Sequence, residues 1–399
     1  MRKFILSAAA ILVAFSAVAV VPHRFYVPEV QGYQTLKGDF HIHSRFSDCD
    51  TWPTERVKEA AYDGLDFISM TDHLDSRHQH MVKDFGANAD ENTSYKLALK
   101  EANKYGIMVI HGAEITRGTC VIPAHFNVHF IEDATPIAHA TEARDNEEWK
   151  NEIEKESQGL EAGLKEAKKQ NAFCVWNHPD WERQAHNETK WWPLHTRLYK
   201  GGLMDGIEIF NQFMGIDPEA FHWAVQKNLA MVSGTDCHSP MFELVDYEKG
   251  EYRPMTLVFA KERSVEGIRE ALEARRTAVV GDGCVWGTES NIKPLLDACL
   301  KMEVIKYSGK KVTFKLTNLS SIPIMLKKDK GSEHLIYVRT QKLNEFESET
   351  LTVSYEDTRE NFKSPSIDVN FYVENWLTDV DKPLKLSYHF DVPEKYFAK

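Results

Sequence analysis

From Gly38 to about Gly283 the chain repeats a short apolar run ending in polar residues, followed by a longer stretch with apolar residues at helical spacing. Buried strands alternating with amphipathic helices predict a parallel α/β layer or barrel. The strands are expected at Asp39 to His43, Phe67 to Asp72, Met108 to Glu114, Phe126 to Ile131, Ala172 to Trp176, Gly206 to Phe210, Ala230 to Gly234 and Thr256 to Phe259. Helices are expected at Thr54 to Tyr62, Tyr95 to Tyr105, Asn146 to Lys169, Pro218 to Lys227 and Val265 to Arg275, several closed by Gly or Asn. After about Pro294 the period shortens to alternation, at Lys311 to Thr317, Leu335 to Arg339, Thr350 to Tyr355, Ser366 to Val373 and Leu384 to Phe390. This predicts an all-β, sandwich-like region behind the α/β one. Without an internal repeat or a low-complexity linker, the two parts are expected to pack together.

The first residues follow a different pattern. Arg2 and Lys3 precede an uncharged run from Phe4 to Val21, with Ala17 and Ala19 at the spacing a signal peptidase reads. Residues 1–21 are expected to be a cleaved export signal; the alternative is an uncleaved anchor, since the run approaches the ~20 residues that span a bilayer. A periplasmic or secreted protein with no membrane span after cleavage follows. The full length of 399 residues suits one large domain and a smaller one. Lys plus Arg is 48 against 60 Asp plus Glu, and a net charge of −12 disfavours a partner as anionic as a long nucleic acid. An anionic ligand would need a local cation. The six cysteines (Cys49, Cys120, Cys174, Cys237, Cys284, Cys299) show no CxxC spacing, which argues against a zinc ribbon or a dithiol redox motif.

The chemistry lies at the polar ends of the strands. The first ends His41-Ile42-His43, whose imidazoles point to one side because strand side chains alternate. The next ends Thr71-Asp72-His73, the third at Glu114, a later one at Asn177-His178-Pro179, and another runs into Thr235-Asp236-Cys237-His238. A single HxH pair is weak evidence for a metal. In parallel α/β folds, however, the carboxyl ends of the strands converge, so these clusters would meet in one cup. Imidazoles and carboxylates withdrawn from water together carry a desolvation penalty that bound cations relieve.

These residues carry a resemblance. The segments GDFHIHS with the following SD, ISMTDH, GAEIT, AHFNVHF, NHPD, GIEIFN and SGTDCHS resemble the polymerase and histidinol phosphatase (PHP) family, from Gly38 to about Gly283. Within it, GYQTLKGDFHIH, EITR, WNHPDW and RPMTLVFAKER with ARRT are similar to exported bacterial phosphodiesterases with a C-terminal β-rich region. The resemblance implies a distorted (β/α)7 barrel over 36–290 and a C-terminal all-β domain over 295–399. It also implies three divalent ions: the first held by His41, His43, Glu114 and Asp236, the second by the bridging Glu114 with His125 and His178, the third by Asp48, His73 and His238. Such a donor set favours Zn, Mn or Fe over Mg or Ca. Cys49 stands where the family commonly has Gly, as a bystander or a soft ligand. His125 matches the family position, and His129, on the same strand face, is the rival.

Three such ions would leave a cationic cup that draws an anionic substrate and ionises water. The expected reaction is hydrolysis of a small phosphodiester by a hydroxide between the first two ions, with Asp236 orienting it or taking its proton. The third ion would assist the leaving oxygen. Arg117 either forks onto a phosphate oxygen or lies on the surface. Asp72 is expected to brace His73. Trp181, Trp191 and Trp192 either stack on an aromatic leaving group or form loop core. His78, His80, His111, His139, His186, His195 and His222 are read as ordinary histidines. The alternatives are a phosphomonoesterase or nucleotidase on the same metals, and a non-catalytic anion-binding protein.

Overall fold

Where the alternation predicts strands, they lie side by side in a ring. A computed structural model describes residues 24–74, 90–118, 122–142, 150–181, 189–332, 335–354, 366–393 and 395. In it β1 (Gln34–Ile42), β2 (Phe67–Met70) and β3 (Met108–Thr116) run parallel. β4 (His125–His129) departs from the parallel rhythm and runs against both β3 and β5 (Phe173–Trp176). The short link from Arg117 to Ala124 has no room for the crossover that a parallel pair needs. β5, β6 (Gly206–Asn211) and β8 (Ala230–Gly234) are parallel again, and β7 (Gly215–Ile216) is a hairpin return on β6. A parallel bridge between Ile42 and Cys237 closes the ring, and Asp236 N–H donates to the His41 carbonyl at 2.8 Å. The staves of this distorted barrel are β1 to β6 and β8.

Helices cover the outside and aim the strands. α1 (Pro53–Asp63) starts on Pro53 and ends at Gly64, whose φ of 76° suits glycine. α2 (Thr93–Ala102), α3 (Thr135–Glu142), α4 (Glu152–Lys169) and α5 (Pro193–Lys200) follow, α4 capped by Asn151, which accepts from Glu154 N–H. α6 (Pro218–Lys227) matches its expected bounds: Asp217 accepts from Glu219 and Ala220 N–H, and Asn228 ends it at φ 53°. The short α7 (Met241–Leu244) and α8 (Val265–Glu273) complete the set around the ring. β9 (Met255–Ala260) lies antiparallel to β1 and to β10 (Thr277–Gly281).

The C-terminal region is built from two sheets. β12 (Leu300–Ser308), β13 (Lys311–Asn318) and β16 (Ser348–Ser354) form one. β14 (Ile324–Lys328), β15 (Thr340–Leu343), β17 (Ser366–Asp379) and β18 (Lys382–Asp391) form the other, joined to the barrel's sheet where β17 runs parallel to β11 (Cys284–Trp286). Phe314, Leu351, Leu326, Phe371 and Leu386 share one core with Leu257 and Val280 of the barrel side. α9 (Glu289–Cys299), which the alternation did not predict, spans the expected joint at 290–295 and buries Ile292, Leu295 and Leu296. The strand expected at Leu335 to Arg339 is not formed; Ile336 makes a single bridge to Ser354, and the strand follows as β15. Residues 1–21, His78, His80, Cys120 and His186 lie outside the described residues. Among the described residues no helix is long and apolar enough to cross a membrane.

Candidate metal centre

Each strand delivers its polar end to the same mouth. His41 and His43 leave β1 on one side, as the two-residue period requires, and their Nε2 atoms lie 3.1 Å apart. Glu114, fully buried on β3, sits between the other groups. Its Oε2 lies 2.8 Å from His73 Nδ1, 3.4 Å from His43 Nε2 and 3.6 Å from His41 Nε2; its Oε1 lies 3.3 Å from His125 Nδ1 and 3.7 Å from His178 Nε2. Asp236 Oδ1 is 3.0 Å from His43 Nε2 and 3.3 Å from His41 Nε2. Asp48 faces His238 Nε2 at 3.2 Å and His73 Nε2 at 3.4 Å. Asp236 and His178 have positive φ, 51° and 25°, values rare outside glycine. Strained backbone of this kind concentrates at functional sites.

Among the described residues three sets of donor atoms converge within 4.8 Å: His43, Asp48, His73 and His238; His41, Glu114 and His178; and His41, His43 and Asp236. The chemistry of the donors fits divalent ions. Glu114 Oε2 and Asp48 Oδ1 are shut off from solvent without a well-formed hydrogen bond, yet face imidazole nitrogens. His238 Nδ1 lies 2.7 Å from the Asp236 carbonyl; donating there fixes the tautomer that leaves Nε2 with a free lone pair toward the cup. Burial opposes charge on every ring, but its neighbours decide the outcome. Asp236, Glu114 and Glu208 hold His41 well above the ordinary value, whereas burial and the neighbouring His73 and His238 push His43 down to about 4. Burial likewise takes His125 down to about 4. The surrounding imidazoles hold Glu114, Asp236 and Asp48 well below the usual carboxylate range despite burial.

A PHP domain model matches residues 39–189. A crystal structure from Bacteroides vulgatus, of a two-domain protein containing a predicted PHP-like metal-dependent phosphoesterase, is 40% identical, covers 92% of this chain and 98% of its own, and superposes with a TM-score of 0.81. The chain belongs to the PHP family. A metal-dependent phosphoesterase structure from Bifidobacterium adolescentis, so named as a prediction, is 15% identical over 50% of this chain and 87% of its own, with a TM-score of 0.37. An amidohydrolase from Chromobacterium violaceum is 16% identical over 61% of this chain and 98% of its own, also at 0.37. Both are too distant to add to the fold. No protein of curated function matches the chain.

Within this PHP barrel, other expectations come out differently. Arg117 turns away from the cup. It lies just past the end of β3 and reaches back under α3 and α4, where it donates to the Thr141 carbonyl at 3.1 Å and pairs with Glu156 at 3.3 Å. Burial of that guanidinium in a helix contact leaves no reach toward a phosphate. Asp72 braces the loop that carries Asp48 instead of His73, accepting from Ser44 N–H at 2.6 Å and Ser47 Oγ at 2.8 Å. His129 lies deeper in the barrel, with Nδ1 2.8 Å from Ser69 Oγ and its ring against Phe40. Cys49 accepts from the Arg56 guanidinium at 2.9 Å and lies among buried groups behind the loop. Trp191 packs on Trp176 and Trp223 in the core, and Trp192 precedes α5, while Trp181 stands at the cup beside His125 and His178.

One residue was missed from sequence. Glu208 on β6, 2% exposed, lies 3.5 Å from His41 Nδ1 through Oε1 and accepts the His178 N–H at 2.8 Å through Oε2. A carboxylate behind an imidazole fixes its orientation and raises its basicity. The signal was its place inside an otherwise apolar strand, GIEIFN, where an acid needs a partner.

Proposed function

We propose that this chain is a metal-dependent phosphoesterase whose substrates are small phosphodiesters. The observation that carries the reading is the convergence on Glu114, whose two oxygens face imidazoles from separate strands on opposite sides. His41, His43, Glu114 and Asp236 would hold one ion, Glu114, His125 and His178 a second, and Asp48, His73 and His238 a third. Divalent cations there, of the Zn, Mn or Fe class, supply Lewis acidity that lowers the pKa of water and clamps phosphoryl oxygens. Asp236, kept as the carboxylate by the imidazoles around it, orients the attacking water from the His41–His43 side. An ion held by Asp48, His73 and His238 would offset the charge that develops on the leaving oxygen.

The lining of the cup supports the diester reading. It is a cavity of about 430 Å³, and no Lys or Arg occurs among the described residues lining it. A diester brings one negative charge and two organic groups; a monoester brings nearly two charges and would gain from an added fixed cation. Residues 1–21 are proposed as the signal that exports the protein.

Metal analysis with a panel of matched mono- and diesters tests the reading. The expected outcome is bound transition metal and faster turnover of diesters. A strong monoester preference would move the assignment to a phosphomonoesterase or nucleotidase, and binding without turnover to an anion-binding protein. Joint replacement His41→Ala and His43→Ala should abolish turnover and lower metal content with the fold retained; full activity in that variant rejects the site.

A further inference from the structure

We propose that Trp181, Phe213 and Met214 form a wall of the cup that binds an aromatic substituent of the substrate. The inference rests on the phosphodiester reading and specifies its substrate class. All three residues line the same cavity as Glu114, His125, His178 and Asp236. They follow β5 and β6, whereas Asp48, His73 and His238 follow β1, β2 and β8, so the lining of the cup combines acids and imidazoles with large apolar side chains.

Trp181 is half-buried and outside the hydrophobic cores, unlike the Trp191 of the same segment. Its ring lies 4.9 Å from that of His125 and 5.4 Å from that of His178, which hold it beside the reacting region. Phe213 is 51% exposed at the tip of the β6–β7 hairpin. That tip is built to hold its shape: Phe213 N–H donates to Asn211 Oδ1 at 2.9 Å, Gln212 N–H to the Gly234 carbonyl at 3.2 Å, and Gly215 turns with φ 78°. A lone exposed apolar residue needs no explanation. Two large ones and a methionine lining the same polar, ion-binding cup do, because they lower the cost of desolvating an organic group placed next to charged donors. Aromatic rings also gain from stacked or edge-to-face contact with Trp and Phe, and methionine sulfur adds contact with a ring edge. A methyl ester gains none of this.

The test uses hydrolysis-inert monoanions that mimic a phosphodiester, diphenylphosphinate and dimethylphosphinate, titrated calorimetrically into the metal-loaded full chain. The wild type should bind the diphenyl compound about tenfold or more tightly than the dimethyl one. Phe213→Ala and Trp181→Ala should each cut that ratio to about threefold or less. Phe213→Ala removes nothing from the core, so it keeps the test decisive if Trp181→Ala folds poorly. Equal binding of the two phosphinates, no binding of the diphenyl compound, or a ratio unchanged in Phe213→Ala overturns the inference. An intact preference in a protein that turns over no phosphodiester would instead sink the hydrolase reading and leave the wall standing.

Discussion

The fate of single side chains here turns on what surrounds a nitrogen or an oxygen. His41 and His195 are both buried, yet one faces acids and the other does not. His195 stacks on Trp176 at 3.8 Å, donates from Nε2 to the Pro123 carbonyl at 2.8 Å and accepts the Trp192 N–H at Nδ1. Only the neutral ring makes both bonds, and burial pushes its pKa down to about 3. As pH falls through about 6.5 the unfolded chain gains a proton that the folded chain refuses, so this residue removes stability progressively from there to about pH 3. An NMR titration should find the ring neutral, as the Nε2–H tautomer, at pH 5; a charged ring at that pH refutes the assignment. Glu208 yields a second expectation. Glu208→Gln keeps the shape but weakens the hold on His41, and should lower metal affinity by about 10- to 100-fold with the fold unchanged. Competition with a chelator measures it, and unchanged affinity would assign Glu208 a purely packing role.

At the scale of elements, the end of β1 is aligned with the loop after β8 by a buried network. Asp39 accepts from Thr235 Oγ1 and from Arg253 at 2.6 Å each, and from His41 N–H at 3.0 Å. Arg253 also reaches Asp63 of α1 at 3.2 Å, and that acid accepts from Tyr247 at 2.7 Å. The network holds the His41 strand at the height of Asp236. Arg253→Leu would leave two buried acids without their cation and should cost about 3–5 kcal/mol. Urea unfolding of the variant checks this, and a loss below about 1 kcal/mol would mean the network contributes little net stability. Arg56 serves the neighbouring loops in the same way, donating to the carbonyls of His43 and Cys237 at 2.9 Å each.

For the whole molecule, the barrel and the β region share a sheet and a core. β17 extends the barrel's sheet through β11, with Trp376 fully buried, and Asn375 donates to the Gly283 carbonyl at 2.8 Å. A chain cut after Cys299 would expose the apolar face of α9 and the edge of β11. It should aggregate or melt far below the full chain, by more than any point substitution in the ion cup. A truncated barrel with full-length thermal stability would show the β region to be an independent appendage. No described residue of the β region lines the cup, so its expected effect on the chemistry runs through stability.

Much of this was present in the alternation itself. Strand and helix periods follow from which side chains must leave water, so β8 and α6 are readable residue by residue, whereas β1, expected from Asp39, already begins at Gln34, where pairing with β9 extends it. The two-residue period likewise set His41 and His43 on one side. Alternation fixes which residues share a face but not what that face meets. It left Arg117, just past the end of β3, open between the substrate and the surface, and only the packing of α3 and α4 supplied the Thr141 carbonyl and Glu156 that turn it away. α9, with Pro294 inside it, and the half-polar β12 lack a clean period, so their burial depends on neighbours distant in sequence. The sequence by itself determined which residue types end the strands. Tertiary structure decided their distances, the backing of His41 by Glu208 and the apolar wall beside the donors, because each depends on strands remote in the chain meeting at one rim.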